Sequence, residues 1–305
     1  MSLTPVMTKA SPLDMLQRWL PKLVLAPSML VVLVGFYGYI LWTLVLSFSN
    51  SSFMPSYKWV GLQQYMRLMD NDRWWVASQN LLVFGGLFIG ISLLIGVFLA
   101  VLLDQRIRRE GFIRTIYLYP MALSMIVTGT AWKWLLNPGL GLDKMLRDWG
   151  WEGFRLDWLV DQDRVIYCLV IAAVWQASGF VMALFLAGLR SVDQSIIRAA
   201  QVDGAGLPTI YLRIVLPSLR PVFFSAIILL VSLAIKSFDL VIALTGGGPG
   251  YSTWVPAIFM YDFGFNRGQI GLGAAAATLM MAAVALAMLP MLIAELKGRR
   301  DGHKN

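Results

Sequence analysis

The sequence predicts an all-α membrane protein with six transmembrane helices. Three observations carry that expectation. The 305 residues are 58% hydrophobic and only 14% charged, against about 25% charged in soluble domains. Apolar runs of near twenty residues recur along the whole length, each able to cross a hydrocarbon core of about 30 Å as a helix. The runs lack the alternation of barrel strands, and only helices and closed barrels satisfy their backbone groups in lipid.

The spans follow in order. The first, 23–48, comes after a mostly polar stretch 1–22 and is too long for the apolar core of a cleavable signal, so it reads as an uncleaved anchor. The second is 81–103, where Gly86, Gly90 and Gly96 suggest close helix packing. The third is 112–136 and the fourth 165–189. The fifth is 222–244 and the sixth 270–293, with a polar tail 294–305. A membrane domain at 23–293 between two short tails results. Trp74, Trp75, Trp132, Trp134, Trp149, Trp151 and Trp158 are expected in an interfacial belt.

Six spans put both termini on one side. Lys9, Arg18 and Lys22 lie there, with Arg106, Arg108, Arg109 and Arg114 after the second span. Arg190, Arg198, Arg213 and Arg220 follow the fourth, and Lys297, Arg299, Arg300 and Lys304 close the chain. That side holds fifteen basic residues against eight on the other, whose longest loop carries Asp143, Asp148, Glu152, Asp157, Asp161 and Asp163. The positive-inside rule then makes both termini cytoplasmic.

Composition also excludes classes. The net charge of +8 is spread through the loops rather than gathered in one tract, which argues for a membrane protein over a nucleic-acid binder. One cysteine, Cys168, and one histidine, His303, leave no material for a disulfide within the chain, a thiolate zinc site or a His-based triad. No metal, cofactor or catalytic residue is expected. The chain has no Gly-x4-Gly-Lys-Ser/Thr phosphate loop, so it is not itself an ATPase.

One segment between the fourth and fifth spans is punctuated unlike the rest: "RAAQVDGAGLPTIYLRIVLPSLRP", 198–221. Asp193 suits an N-cap for a helix over 194–202. Asp203 favours a turn, and Gly204 takes the left-handed conformation that ends a helix. Pro208 fits the first turn of a second helix reaching about Leu216. Pro217 and Pro221 then allow a bend. The result is a helix–turn–helix hairpin on the cytoplasmic side, with a flat small-residue surface at Ala199-Ala200. Two readings stand: an amphipathic interfacial linker, or a rigid knob that docks on a soluble partner and carries its motion into the membrane.

The spacing within this segment is similar to the EAA loop of permease subunits of bacterial ATP-binding-cassette importers. The family pattern is Glu-Ala-Ala, three residues, Gly, nine residues, then Ile-x-Leu-Pro. Here Ala199-Ala200 is followed by Gly204, Ile214 and Leu216-Pro217. Arg198 stands where the family has its Glu, so a carboxylate contact to the ATPase does not carry over. After the fifth span, "FDLVIALTGGGPG" at 238–250 resembles the branch containing maltose- and glycerol-phosphate-type permeases. The stretches "RWLPKLVLAPSML" and "NPGLGLDKMLRDWG" resemble glucose/mannitol permease subunits. The resemblance covers about 75–295. It implies a type I importer core with the hairpin 193–217 as its coupling element. It also implies a second homologous permease, two ATPase subunits, a periplasmic sugar-binding protein and a bacterial inner membrane. A monosaccharide such as glucose or a polyol such as mannitol is the expected solute, with another sugar or a glycerol-phosphate-like compound as alternative.

Polar residues inside the spans mark a pathway or pair with one another. Lys236 and Asp239 are three apart, so they can pair on one helix, either as a self-neutralising pair near the outer interface or as donors and acceptors for hydroxyls. Lys133 ends the third span and can snorkel. Gln176 needs a partner in lipid and so faces the bundle, next to Trp175. A flat aromatic beside polar groups suits a sugar; an ordinary interfacial or core Trp is the other reading. The resemblance implies pore-facing positions for Trp175, Phe180, Leu233 and Ser237. A self-contained secondary transporter would need an ion-coupling site, for which Asp239 is the one intramembrane acid.

Overall fold

The computed structural model describes residues 12–54, 56–105 and 108–301. These form fifteen helices joined by turns and loops. Helix α1 (Pro12–Val32) passes through one wide π turn at Leu33–Tyr37 into α2 (Gly38–Ser47). Then come α3 (Gln63–Met69), the long α4 (Asp72–Asp104) and α5 (Glu110–Leu118). A tight turn at Tyr119–Ala122 leads to α6 (Met125–Leu135), followed by α7 (Leu142–Asp148) and α8 (Val165–Arg190). The hairpin comprises α9 (Gln194–Val202), α10 (Leu207–Ile210) and α11 (Leu216–Ser218). The chain finishes with α12 (Arg220–Ile235), α13 (Phe238–Leu244), α14 (Pro256–Tyr261) and α15 (Ile270–Asp301).

Four segments are apolar and long enough to span: Val24–Ser47, Asp72–Asp104, Val165–Arg190 and Ile270–Leu289. The other two expected spans are broken. The third bends by 100° between Glu110–Ala122 and Met125–Leu135. Pro120 lacks a donor for a continuing helix, and Ser124 restarts one by accepting from the Val127 amide at 3.3 Å. The fifth begins after a 69° bend from Leu207–Ser218 into Arg220–Ile235. Its α12 stops at Ile235, and 16 residues rise only about 24 Å. The apolar run then restarts as α13.

Other expectations also change. The second span begins at Asp72 rather than 81, because Asn71 caps it by accepting from the Arg73 amide at 3.1 Å. The stretch 1–22 is helical from Pro12, and the last helix runs to Asp301. Lys9, Arg106, His303 and Lys304 lie outside the described residues. Trp74 is not in a belt: it is 7% exposed and packs edge-on against Phe259, centroids 5.4 Å apart.

Helix α8 is apolar on every face and mostly buried, with Tyr167, Ile171 and Trp175 exposed along one stripe. It lies along α4 and touches α5, α6, α12 and α13. Small residues permit this. A Cβ on Gly96 of α4 would come within 2.5 Å of Val181 Cγ1, and one on Gly179 of α8 within 1.8 Å of the Tyr117 carbonyl oxygen. Gly86 and Gly90, by contrast, have nothing within 4 Å; they are not packing glycines within this chain. Helix α13 packs on α6 in the same manner, where a Cβ on Gly129 would meet Ala243 Cβ at 2.7 Å. We predict that Gly179→Ala lowers stability by about 1–3 kcal/mol through overpacking, while Gly86→Ala leaves it unchanged. Heating series read by size-exclusion recovery in detergent check this; equal midpoints for the two variants would refute it.

Candidate functional site

The bend in the third span interrupts the helical backbone bonds, and groups freed within lipid need partners. Gln176, 6% exposed on α8, meets that need: its Nε2 donates to the Leu123 carbonyl at 2.7 Å. The expectation that Gln176 faces the bundle thus acquires a partner that the sequence did not reveal. Its Oε1 is buried with no partner within the chain, as are Thr128 Oγ1 on α6 and Ser237 Oγ at the α12–α13 break. The three unpartnered atoms, one amide oxygen and two hydroxyls, sit on or beside elements that contact one another, since α6, α8 and α13 meet pairwise.

Beside Gln176, Trp175 is 39% exposed and meets Trp132 of α6 edge-to-face, centroids 5.9 Å apart at 73°. Trp132, expected in the interfacial belt, follows the bend of the third span. Phe180 and Leu233 are half-buried on α8 and α12. Lys236 and Asp239 are exposed at the second break, and the ion pair expected between them does not form. Lys236 ends α12 with φ −89° and ψ 15°, while Asp239 belongs to the next helix, so the three-residue spacing of one continuous helix is lost. Lys133 is exposed in the last turn of α6. The arrangement is two interrupted spans around one buried helix, with aromatic faces, free acceptors and two unpaired charges at the interruptions. Interrupted helices of this kind line solute pathways in transporters. Among the described residues there is no group of three His, Cys, Asp or Glu able to hold a metal.

The second feature is the hairpin. Asp193 caps α9 by accepting from the Ser195 amide at 2.8 Å, and that bond holds its carboxyl below the usual carboxylate range. Gly204 stands at φ +80°. Its amide donates to Gln201 O at 3.1 Å and the Ala205 amide to Ala200 O at 3.0 Å, which is the left-handed glycine cap. Ala200, Ile210, Val215 and Leu219 form a buried underside. Arg198, Ala199, Asp203 and Pro217 are exposed, and Ile214 and Leu216 half-buried. Ile196, Val202, Leu207 and Leu212 expose apolar surface, Val202 to 87%.

Two polar ties fix the hairpin's base. Arg190, which ends α8, pairs with Glu110 of α5 at 2.6 Å. Tyr211 donates to Asp104 Oδ2 at 2.5 Å and accepts from Gln105 Nε2 at 2.9 Å. Burial, then the Asp104 bond, push the Tyr211 hydroxyl up to about 12, so it stays protonated and keeps donating. Neither tie was read from the sequence, because each joins residues 80 or more apart.

The family model described as binding-protein-dependent transport system inner membrane component matches residues 92–296. The chain belongs to that family. A probable ABC transporter permease protein of Pyrococcus horikoshii is 38% identical over 278 residues, covering 90% of this chain and 95% of the relative. The trehalose/maltose transport system permease protein MalF of Thermococcus litoralis is 31% identical, covering 83% and 85%. A bacterial ABC transporter involved in import of the acidic polysaccharide alginate shares the fold, with a TM-score of 0.78 at 21% identity over 94% of this chain and 98% of that one. The permease is accordingly a transport subunit and not an enzyme. In this setting the Gln176–Leu123 bond has a measurable weight. Gln176→Leu should cost the permease about 1–3 kcal/mol by stranding a buried carbonyl, seen as a lower thermal midpoint in detergent. An unchanged midpoint would mean that the break finds another donor.

Proposed function

We propose that this permease forms half of the translocation pore of an ATP-driven, binding-protein-dependent sugar importer in the inner membrane. Its partners would be a second homologous permease, two ATPase subunits and a periplasmic sugar-binding protein. The observation that carries the reading is the joint presence of a capped, exposed hairpin on one side of α8 and interrupted spans with free polar atoms along it. A partner pushing on the first can rearrange the second.

Sugars are the favoured class because the relatives' names point there. The permease of Haloferax volcanii that is 36% identical over 74% of the chain is named for xylose and arabinose, and MalF for trehalose and maltose. A permease of Pectobacterium atrosepticum, 31% identical over 86% of the chain, is named for sn-glycerol-3-phosphate, which keeps that solute class as the alternative. Within the sugars, glucose or mannitol is the finer assignment, resting on "RWLPKLVLAPSML" and "NPGLGLDKMLRDWG". The membrane domain is taken as 23–293 with its core at about 75–293. The fifteen-to-eight split of basic residues puts both termini and the hairpin in the cytoplasm.

The cycle would be alternating access. ATP closes the ATPase dimer, the hairpin at 193–217 follows, and the pore opens outward to receive sugar. Arg198, Ala199, Ala200, Asp203, Gly204, Ile214, Leu216 and Pro217 form the coupling element. Trp175, Gln176, Phe180, Leu233, Lys236, Ser237 and Asp239 line the route. Trp175 supplies a flat apolar face, and the polar groups supply partners for hydroxyls.

Two measurements test this. Gly204→Val places a β-branched side chain at φ +80°, a strongly disfavoured conformation. The ATPase should then fail to co-purify, or hydrolyse ATP without uptake; full retention with full uptake would reduce the hairpin to a linker. Trp175→Ala should lower ATP-driven uptake about tenfold, equivalent to about 1.4 kcal/mol, with assembly and basal hydrolysis intact. Unchanged uptake across a panel of glucose, mannitol, maltose and glycerol phosphate would remove the aromatic platform.

A further inference from the structure

We propose that Tyr211 is a positioning residue that locks the coupling hairpin to α4, so that the two move as one body. The proposal rests on the reading that the hairpin engages an ATPase. Its physical basis is the way the hairpin is attached.

The direct route from the hairpin into the membrane is through Leu219, between α11 and α12. That junction bends by 69°, and Leu219 has φ −86° and ψ 15°, outside helical geometry. Hinge motions are absorbed at a few element-terminal residues, and Leu219 holds such a place. Force applied to the hairpin tip would be spent on rotation there unless a second attachment resists it. Tyr211 supplies a directed attachment beside the apolar packing of Ala200, Ile210 and Val215. Its hydroxyl reaches Asp104 and Gln105, the last residue of α4 and the residue that follows it. The carboxylate makes the bond charge-assisted and short. The other tie, Arg190–Glu110, has side chains 47% and 28% exposed, and exposed ion pairs hold weakly.

Helix α4 is suited to receive the load. It has 33 residues without a break, about 50 Å long, and lies along α8 over much of that length. At its far end Asn80 Nδ2 donates to the carbonyls of Tyr251 and Trp254 at 3.0 Å each, and the Arg73 guanidinium lies 4.7 Å over the Tyr251 ring. Hairpin, α4 and the glycine-rich loop after α13 are thus connected in series by named polar contacts. Gly247 is pinned in that loop: a Cβ there would meet Trp254 Nε1 at 2.8 Å.

The test uses the full complex with its own partner subunits in lipid nanodiscs, in a Cys168→Ala background. Spin labels are placed on exposed positions of the hairpin and of α4, Gln201→Cys and Leu102→Cys. Their distance distribution is measured without nucleotide and after trapping with ATP and vanadate. With Tyr211 present the distribution should be the same in both states. In Tyr211→Phe it should shift or broaden by about 3 Å or more, two residues' rise along a helix, while the ATPase still co-purifies and hydrolyses ATP. Asp104→Asn should act alike, and the double variant should be no worse than either single change, since both remove one interaction. Three results would overturn the proposal: a native distance that changes with nucleotide, a Tyr211→Phe distribution identical to the native one, or loss of the ATPase from Tyr211→Phe. Failure of the docking reading looks different. Gly204→Val would then keep its ATPase, whatever the distances report.

Discussion

The bond from Gln176 to the Leu123 carbonyl is the interaction on which the arrangement of the bundle depends. A 100° bend in an apolar helix exposes backbone polar groups that lipid cannot satisfy. The bend survives because the central helix brings a donor to it. The same helix offers Gly179 one turn further on, where the Tyr117 carbonyl approaches so closely that no side chain fits. Glycine and glutamine on α8 therefore act together, one admitting the bent segment and the other holding its end. With the bend fixed, α6 is directed onto α13, and Trp132 arrives beside Trp175.

The hairpin obeys a different logic. Its stability is local, set by an N-cap at Asp193, a left-handed glycine at 204 and a small buried underside. Local signals of this sort are written in adjacent residues, so the sequence conveyed them well: α9 covers Gln194–Val202 as expected. Long apolar helices were legible for the same reason, since length and hydropathy decide them without knowledge of neighbours.

What was not legible involves partners far apart in the chain. The third span looked continuous because its composition is apolar throughout. Pro120 and Ser124 were the available signs of a break, but in a membrane bundle either residue is tolerated when a neighbouring helix satisfies the freed groups. The decisive fact is Gln176, 53 residues away. The Lys236–Asp239 pairing failed likewise: spacing implies contact only if the helix is unbroken, and α12 ends at Ile235. Gly86 and Gly90 illustrate the converse. Glycines in a span suggest close packing, yet only Gly96 of the three faces another helix of this chain.

These two kinds of order divide the labour in the molecule. The hairpin can hold its shape while it moves, because its caps and turn are internal to it. The residues at the interruptions cannot: Trp132, Gln176 and Ser237 sit on three elements whose relative placement comes from helix contacts and one side-chain bond. A rigid element on one side and a contact-defined site on the other is the condition for a mechanical switch, since packed helices exchange one arrangement for another rather than deforming continuously. Free acceptors at the interruptions add a chemical reason for the site to change state. A polyhydroxylated solute that satisfied Gln176 Oε1 or Ser237 Oγ would favour whichever packing presents them, and a ligand shifts an equilibrium only by its difference in affinity for the two states.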